Sequence, residues 1–263
     1  MSICIKGNIT TKFFILLLSL ASHGISSQAL AHAHNDYERS QALTSALEYG
    51  ITSIEIDVFL HNKKIVIAHD KEDIDSSFTL KKIYLQPIKK SLSQADTIQL
   101  LIDIKEYSVE LLNTLQNELL ASGLPLTSKV NDQKDQITII LSGDMDKSYI
   151  IENHYPIFYI DGRPEDLDKE EWHTHIKMIS DNFKNYMDYE GLGVPKKKEL
   201  DKINSLIKQC EQIDIPIRFW NTADHLNVWK LLDKLNVDYI SIDDYRNFSN
   251  YRRGSPITFP KID

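Results

Sequence analysis

Short apolar runs recur at eight places along the chain: Leu30–His34, Ser53–Leu60, Thr97–Ile104, Gln136–Ser142, Ile157–Asp161, Ile176–Ser180, Pro216–Trp220 and Tyr239–Asp243. Runs of this length, rich in Ile and Leu and bounded by polar residues, predict β-strands buried on both faces. Between them, apolar residues spaced three and four apart predict helices over Ser40–Glu48, Leu80–Leu92, Val109–Ala121, Lys196–Gln212 and Ala223–Leu235. One further extended piece, Lys64–His69, interrupts the connection after the second strand. Strand and helix alternate without a break in composition, a linker or a repeat. Eight such units in roughly 230 residues predict a single-domain (β/α)₈ TIM barrel over 30–263. A doubly wound open sheet is the other reading, since strand order does not follow from alternation alone.

The first 29 residues break this pattern. Lys6 and Lys12 precede the apolar run Phe13–Leu20, small residues follow, and no acid occurs. That order predicts a secretory signal peptide over 1–29, with an apolar part too short to span a bilayer comfortably. Its removal would shift the net charge from −8 to −10, because both lysines go with it. A chain that acidic is a poor partner for nucleic acid, whose phosphates demand an excess of Lys and Arg. Cys210 would be the only cysteine left, so no internal disulfide can form and the fold must rest on its core. No second apolar run reaches transmembrane length. A soluble protein, secreted or periplasmic, is expected, with at most transient contact with a membrane surface. The run Lys196–Lys198 reads as a solvated face at a helix start.

Chemistry enters at the strand ends. In a strand, residues two apart share a face, so Glu55 and Asp57 aim together while Ile54, Ile56 and Val58 point away. His34 and His69 bracket them in sequence, and Asp103 and Lys105 close the Leu100–Lys105 segment. Carboxylates of this kind hold a hard cation, and histidines titrate near neutrality. The combination points to metal-assisted chemistry on an oxygen-rich substrate. A barrel places its active site at the C-terminal ends of the strands, where His34, Asp57, Asp103, Asp161, Asp181, Trp220 and Asp243 all fall. Asp161 and Asp181 also suit helix caps, and Asp243 suits the pocket lining.

Several segments occur in an order that resembles a known superfamily: His32-Ala33-His34-Asn35-Asp36-Tyr37, Ile54-Glu55-Ile56-Asp57-Val58, Ala68-His69-Asp70, Leu101-Ile102-Asp103-Ile104-Lys105 and Arg218-Phe219-Trp220. The chain resembles the phosphatidylinositol-phospholipase-C-like phosphodiesterases. Within them it is similar to the glycerophosphodiesterase-like branch typified by the altered-inheritance-of-mitochondria proteins. Thr79–Pro87 and Val237–Asp244 resemble that branch too. The resemblance implies one divalent cation, Mg²⁺ or Ca²⁺, on Glu55, Asp57 and Asp103. It implies His34 and His69 as the acid/base pair, Lys105 beside the phosphate charge and Trp220 shaping the substrate pocket; Asn35 and Asp243 are expected beside it around a small-molecule or lipid-headgroup phosphodiester. The expected activity is phosphoric diester hydrolysis. Two departures bear on the substrate. Asn35 stands where the commoner glycerophosphodiesterases have a phosphate-binding Arg. Asp103 followed by a lysine resembles instead the spider sphingomyelinase D enzymes.

Other readings remain beside it: a sphingomyelinase-D-like phospholipase, an exported binding protein that kept the barrel without turnover, and a metal-dependent amidohydrolase. The last would use His32 and His34 with further histidines on later strands and Asp243. His154, His173 and His175, however, precede the strands they would need to end. His32 therefore reads as a packed or supporting residue.

Overall fold

The computed structural model describes residues 28–93, 97–130 and 136–257; the segment read as a signal peptide lies almost wholly outside them. Nine strands form one sheet: β1 (Leu30–Ala33), β2 (Ser53–His61), β3 (Lys64–Ile67), β4 (Ile98–Ile104), β5 (Ile137–Gly143), β6 (Phe158–Gly162), β7 (Ile176–Asn182), β8 (Ile217–Trp220) and β9 (Tyr239–Ile242). Eight are parallel, in the order β1-β9-β8-β7-β6-β5-β4-β2, and the pairing of β1 with β2 closes the barrel. The open-sheet alternative is therefore excluded. The seam joins opposite ends of the chain, with Leu30 beside Tyr239 and Ala33 beside Ile242.

Seven helices cover the outside: α1 (Thr44–Glu48), α2 (Gln86–Ser91), α3 (Val109–Ser122), α4 (Lys147–Glu152), α5 (Lys197–Gln212), α6 (Leu226–Lys234) and α7 (Tyr245–Arg253). The helix expected over Leu80–Leu92 begins as a π-helical turn, Lys81–Leu85, before α2. Only 3₁₀ turns follow β6. The side chains of Ile54, Ile56 and Val58 are fully buried against the helical layer, which sends Glu55 and Asp57 into the barrel. Trp229 of α6 is also fully buried and meets the Phe248 ring edge-on, with centroids 5.2 Å apart. Cys210 is buried in α5, as expected of a structural thiol.

The extra strand β3 has a positional role. Asn62 and Lys63, both at positive φ, form a two-residue turn that folds β3 antiparallel onto β2. The hairpin carries the chain from the end of β2 straight back, and His69 arrives beside Asp57. Among the described helices none is long and apolar enough to cross a membrane.

Candidate functional site

Parallel register brings the acids together. Asp57 of β2 pairs directly with Asp103 of β4, and Glu55 lies one inward step below Asp57. One oxygen from each of Glu55, Asp57 and Asp103 falls within 4.8 Å of the others. Gly143, at the end of β5, makes room for this cluster. Its φ is +78°, and a Cβ there would stand 2.4 Å from Asp103 Oδ1. Asp57 is fully buried, and its Oδ1 has no hydrogen-bond partner among the described residues. A buried carboxylate oxygen without a donor is costly. A donor set of one carboxylate oxygen from each of three acids suits a hard divalent cation.

The opposite oxygen of Asp57 is crowded with donors. Its Oδ2 accepts from the Tyr37 hydroxyl at 2.8 Å and lies 2.9 Å from His69 Nδ1 and 2.7 Å from Lys105 Nζ. Lys105 Nζ also sits 3.2 Å from Asp103 Oδ1. The ammonium thus joins both outer carboxylates. Burial works against its charge, but the hydrogen bond to Asp57 prevails and raises its pKa. For Asp103, burial dominates and pushes the carboxyl up to about 6.

His34 Nδ1 approaches Asp243 Oδ1 at 3.1 Å. This hydrogen bond raises the imidazole's pKa against the opposing effect of burial. His34 and His69 thus have the same arrangement: Nδ1 rests on an aspartate, fixing the ring and leaving Nε2 available. Arg39 braces the seam beneath His34, donating to the carbonyls of His34, Asn35 and Asp243. Asn35 itself is buried in the left-handed region at φ 43°, with its amide donating to Glu38 at 3.2 Å. Of the three residues expected to contact substrate, Trp220 and Asp243 present exposed side chains at the mouth and Asn35 does not.

Beneath the carboxylates lies a layer of which the sequence reading anticipated only His32 as a supporting residue. Arg218, inward-facing on β8, reaches across the barrel to Glu55, with Nη1 to Oε2 at 2.6 Å, and its Nε donates to Ser180 Oγ. Burial resists ionisation of Glu55, yet the guanidinium beside it holds the carboxyl well below the usual carboxylate range. His32 is fully buried, with Nε2 2.9 Å from Glu55 and Nδ1 2.8 Å from Ser53 Oγ. Burial and Arg218 drive its pKa down to about 4. Both ring nitrogens of His32 are thus committed to the protein, which removes the first ligand an amidohydrolase reading needs. Asp161 caps no helix. It is fully buried, accepting from Ser142 Oγ and Arg163 Nη1 at 2.8 Å each, beside a register shift between β6 and β7. The visible signal for this layer was a charge inside an apolar strand, Arg218 between Ile217 and Phe219.

An AIM6-like phosphodiesterase domain matches residues 22–99, a span that holds the histidine-rich first strand, the Glu55/Asp57 strand and His69. The chain is similar to the AIM6-like branch of the phosphatidylinositol-phospholipase-C-like phosphodiesterases. It is 25% identical to the altered inheritance of mitochondria protein 6 homolog of Arthroderma benhamiae, covering 84% of this chain and 82% of that one. It is 25% identical to the corresponding protein of Kluyveromyces lactis, over 84% and 71% of the two chains. Among solved structures, a glycerophosphodiester phosphodiesterase from Parabacteroides distasonis shares the barrel with a TM-score of 0.54 at 16% identity, over 86% of this chain and 98% of its own. A Ca²⁺-dependent phosphatidylinositol-specific phospholipase C from Streptomyces antibioticus shares it with a TM-score of 0.57 at 9% identity, over 85% and 95%. These likenesses show that the chain shares their barrel fold.

Proposed function

We propose that the chain is a cation-dependent phosphoric diester hydrolase acting on a glycerophosphodiester or lipid-headgroup phosphodiester. The observation that carries this reading is the pair of imidazoles, His34 and His69, each seated by Nδ1 on an aspartate beside a cluster of three carboxylates. Diester cleavage requires a proton to leave the attacking hydroxyl and a proton to reach the departing alkoxide. Two imidazoles whose Nδ1 atoms are held by aspartates can use Nε2 for that pair of tasks. Glu55, Asp57 and Asp103 would hold one divalent cation, which when bound neutralises charge on the non-bridging oxygens.

The protein's own cations complement that centre. Lys105 keeps a positive charge next to Asp57 and Asp103, where phosphoryl charge would accumulate. Arg218 keeps Glu55 ionised in a buried place, so the deepest of the three carboxylates stays a carboxylate. Trp220 offers an apolar wall at the mouth. The basic, apolar and small-residue order of the first 29 residues supports action outside the cytoplasm.

The deciding experiment incubates the purified protein with glycerophosphodiesters, lysophospholipids and sphingomyelin, each with and without EDTA. Hydrolysis of one class, abolished by chelator and restored by Mg²⁺ or Ca²⁺, is the expected result. Equal rates with chelator would sink the cation-dependent mechanism, and no turnover of any diester would favour a binding protein on the same barrel.

A further inference from the structure

The connection from β7 to α5 carries an apolar tip on the face of the barrel that holds His34, Asp57 and Asp103. Leu192 is 81% exposed and Val194 is 89% exposed, the highest values among the large hydrophobic residues described. Trp220, on the neighbouring strand end, is a further exposed apolar group at 37%. The two strand ends are in register, Asn182 beside Trp220, and Asn221 donates to Asn182 across them at 3.2 Å.

The tip projects from a fixed base. Gly191 has φ +94°, and a Cβ there would stand 2.0 Å from the His225 ring. Asn227 at the start of α6 donates to the Gly191 carbonyl at 2.8 Å. The backbone is pinned at that point, and Leu192 and Val194 stand beyond it with nothing covering them. Single exposed aliphatic residues are ordinary on a protein surface; two on one pinned tip beside an active-site mouth are less so.

Charge sharpens the reading. Lys196, Lys197 and Lys198 form the N-terminus of the 16-residue helix α5, where the helix dipole favours anions and disfavours cations. Folding alone therefore gives no reason for Lys197 and Lys198 at this place. Lys196 is taken up by Glu199 at 3.0 Å, and Asp188 and Glu190 of the same connection are taken up by Lys184. Asp201 is the remaining acid nearby on the helix. Lys197 and Lys198 form no ion pair among the described residues, in a chain whose net charge is −8.

We propose that this tip docks the protein on an anionic lipid surface. Leu192 and Val194 enter the outer acyl region, Lys197 and Lys198 lie at the lipid phosphates, and the barrel mouth faces a phosphodiester carried by the lipid itself. Aliphatic insertion with adjoining lysines is the combination that binds interfaces, and each basic residue near an anionic surface adds to the attraction. Two side chains on a narrow tip offer far less than the ~800 Å² that each partner of a stable protein complex buries. The lipid assignment of the substrate rests on the hydrolase reading above; the docking does not.

The test follows the full chain and the Leu192→Ser/Val194→Ser variant on vesicles of phosphatidylcholine with phosphatidylserine. Hydrogen exchange reports the 186–198 backbone locally, so binding through the apolar N-terminal run is not mistaken for docking by the tip. Vesicles are expected to slow exchange across this connection in the natural chain. The double variant should lose that protection and weaken vesicle binding by roughly tenfold. Lys197→Glu/Lys198→Glu should reduce binding to anionic vesicles and leave the weaker binding to pure phosphatidylcholine unchanged. Hydrolysis of a water-soluble diester should stay at the natural rate in both variants, while hydrolysis of the vesicle-borne diester falls. Unchanged exchange of 186–198 on vesicles overturns the proposal. So does a natural chain that is dimeric by light scattering and becomes monomeric in the Leu192→Ser/Val194→Ser variant, since the tip would then serve self-association. Docking without turnover of any diester would leave this inference standing and defeat the hydrolase reading.

Discussion

His34 and Asp243 meet across 209 residues of sequence, with Nδ1 3.1 Å from Oδ1. One ends the first strand and the other follows the last, and barrel closure alone brings them together. The carboxylate raises the pKa of His34, so its removal must lower it. Asp243→Asn is therefore expected to move the limb of the pH–rate profile that reports His34 toward lower pH. Movement of the acidic limb identifies His34 as the base, and movement of the basic limb identifies it as the acid. A profile unchanged on both limbs would show that this imidazole takes no part.

His34→Ala and His69→Ala should each reduce turnover by about 10²–10⁴-fold, the usual contribution of a general acid or base. Neither ring is buried in the core, since their side chains are 40% and 53% exposed. Circular dichroism and thermal melting should match the natural chain. If His32→Ala abolished activity while His34→Ala had no effect, the assignment of the first-strand histidine would be wrong.

Arg218→Met tests the layer below. The guanidinium is 3% exposed and its partner Glu55 7% exposed, so the substitution leaves a carboxylate buried without its cation. Breaking such a pair from one side costs about 3–5 kcal/mol, measurable by urea unfolding. Added Ca²⁺ should restore part of this loss, because a ligand that binds only the folded state stabilises it.

Cation binding is testable without turnover. Calorimetry with Ca²⁺ and Mg²⁺ should give one site per chain, lost in Asp57→Asn and in Asp103→Asn. Gly143→Ala should weaken it by roughly 10–100-fold, a loss typical of disturbing groups that orient ligands. The added methyl meets the Asp103 carboxylate and the Ile104 backbone, shifting the carboxylate while removing no ligand group. Normal affinity in Gly143→Ala would show that Asp103 is not held where the cation binds.

Most of the barrel was legible because its strands are short apolar runs ended by polar residues, a pattern independent of tertiary partners. α4 and α7 escaped for opposite reasons. Lys147–Glu152 spans six residues, too few to display a helical period, and it is marked mainly by its Asp146 cap. Tyr245–Arg253 is polar and aromatic, and it takes its place through contacts such as the Tyr245 hydroxyl on the buried Asp36 carboxylate at 2.9 Å. At the site, Glu55, Asp57, Asp103, His34 and His69 stood out by residue type and position. Arg218, His32, Ser53 and Asp161 work through partners on other strands, and no local spacing announces such partners. Asn35 illustrates the limit from the other side. Its place in the motif suggested substrate contact, while the left-handed turn that follows β1 buries it and directs its amide to Glu38.

The seam between β1 and β9 has a consequence for how the protein comes into being. Leu30 finds its neighbour Tyr239 only after the 208 residues between them have been synthesised. The nascent polypeptide therefore stays open until its last strand is available, and Asp243 reaches His34 at the same moment. A barrel without its last strand carries the Glu55, Asp57 and Asp103 cluster but not the contact between His34 and Asp243. Ring closure and the seating of His34 on Asp243 therefore arrive as one event.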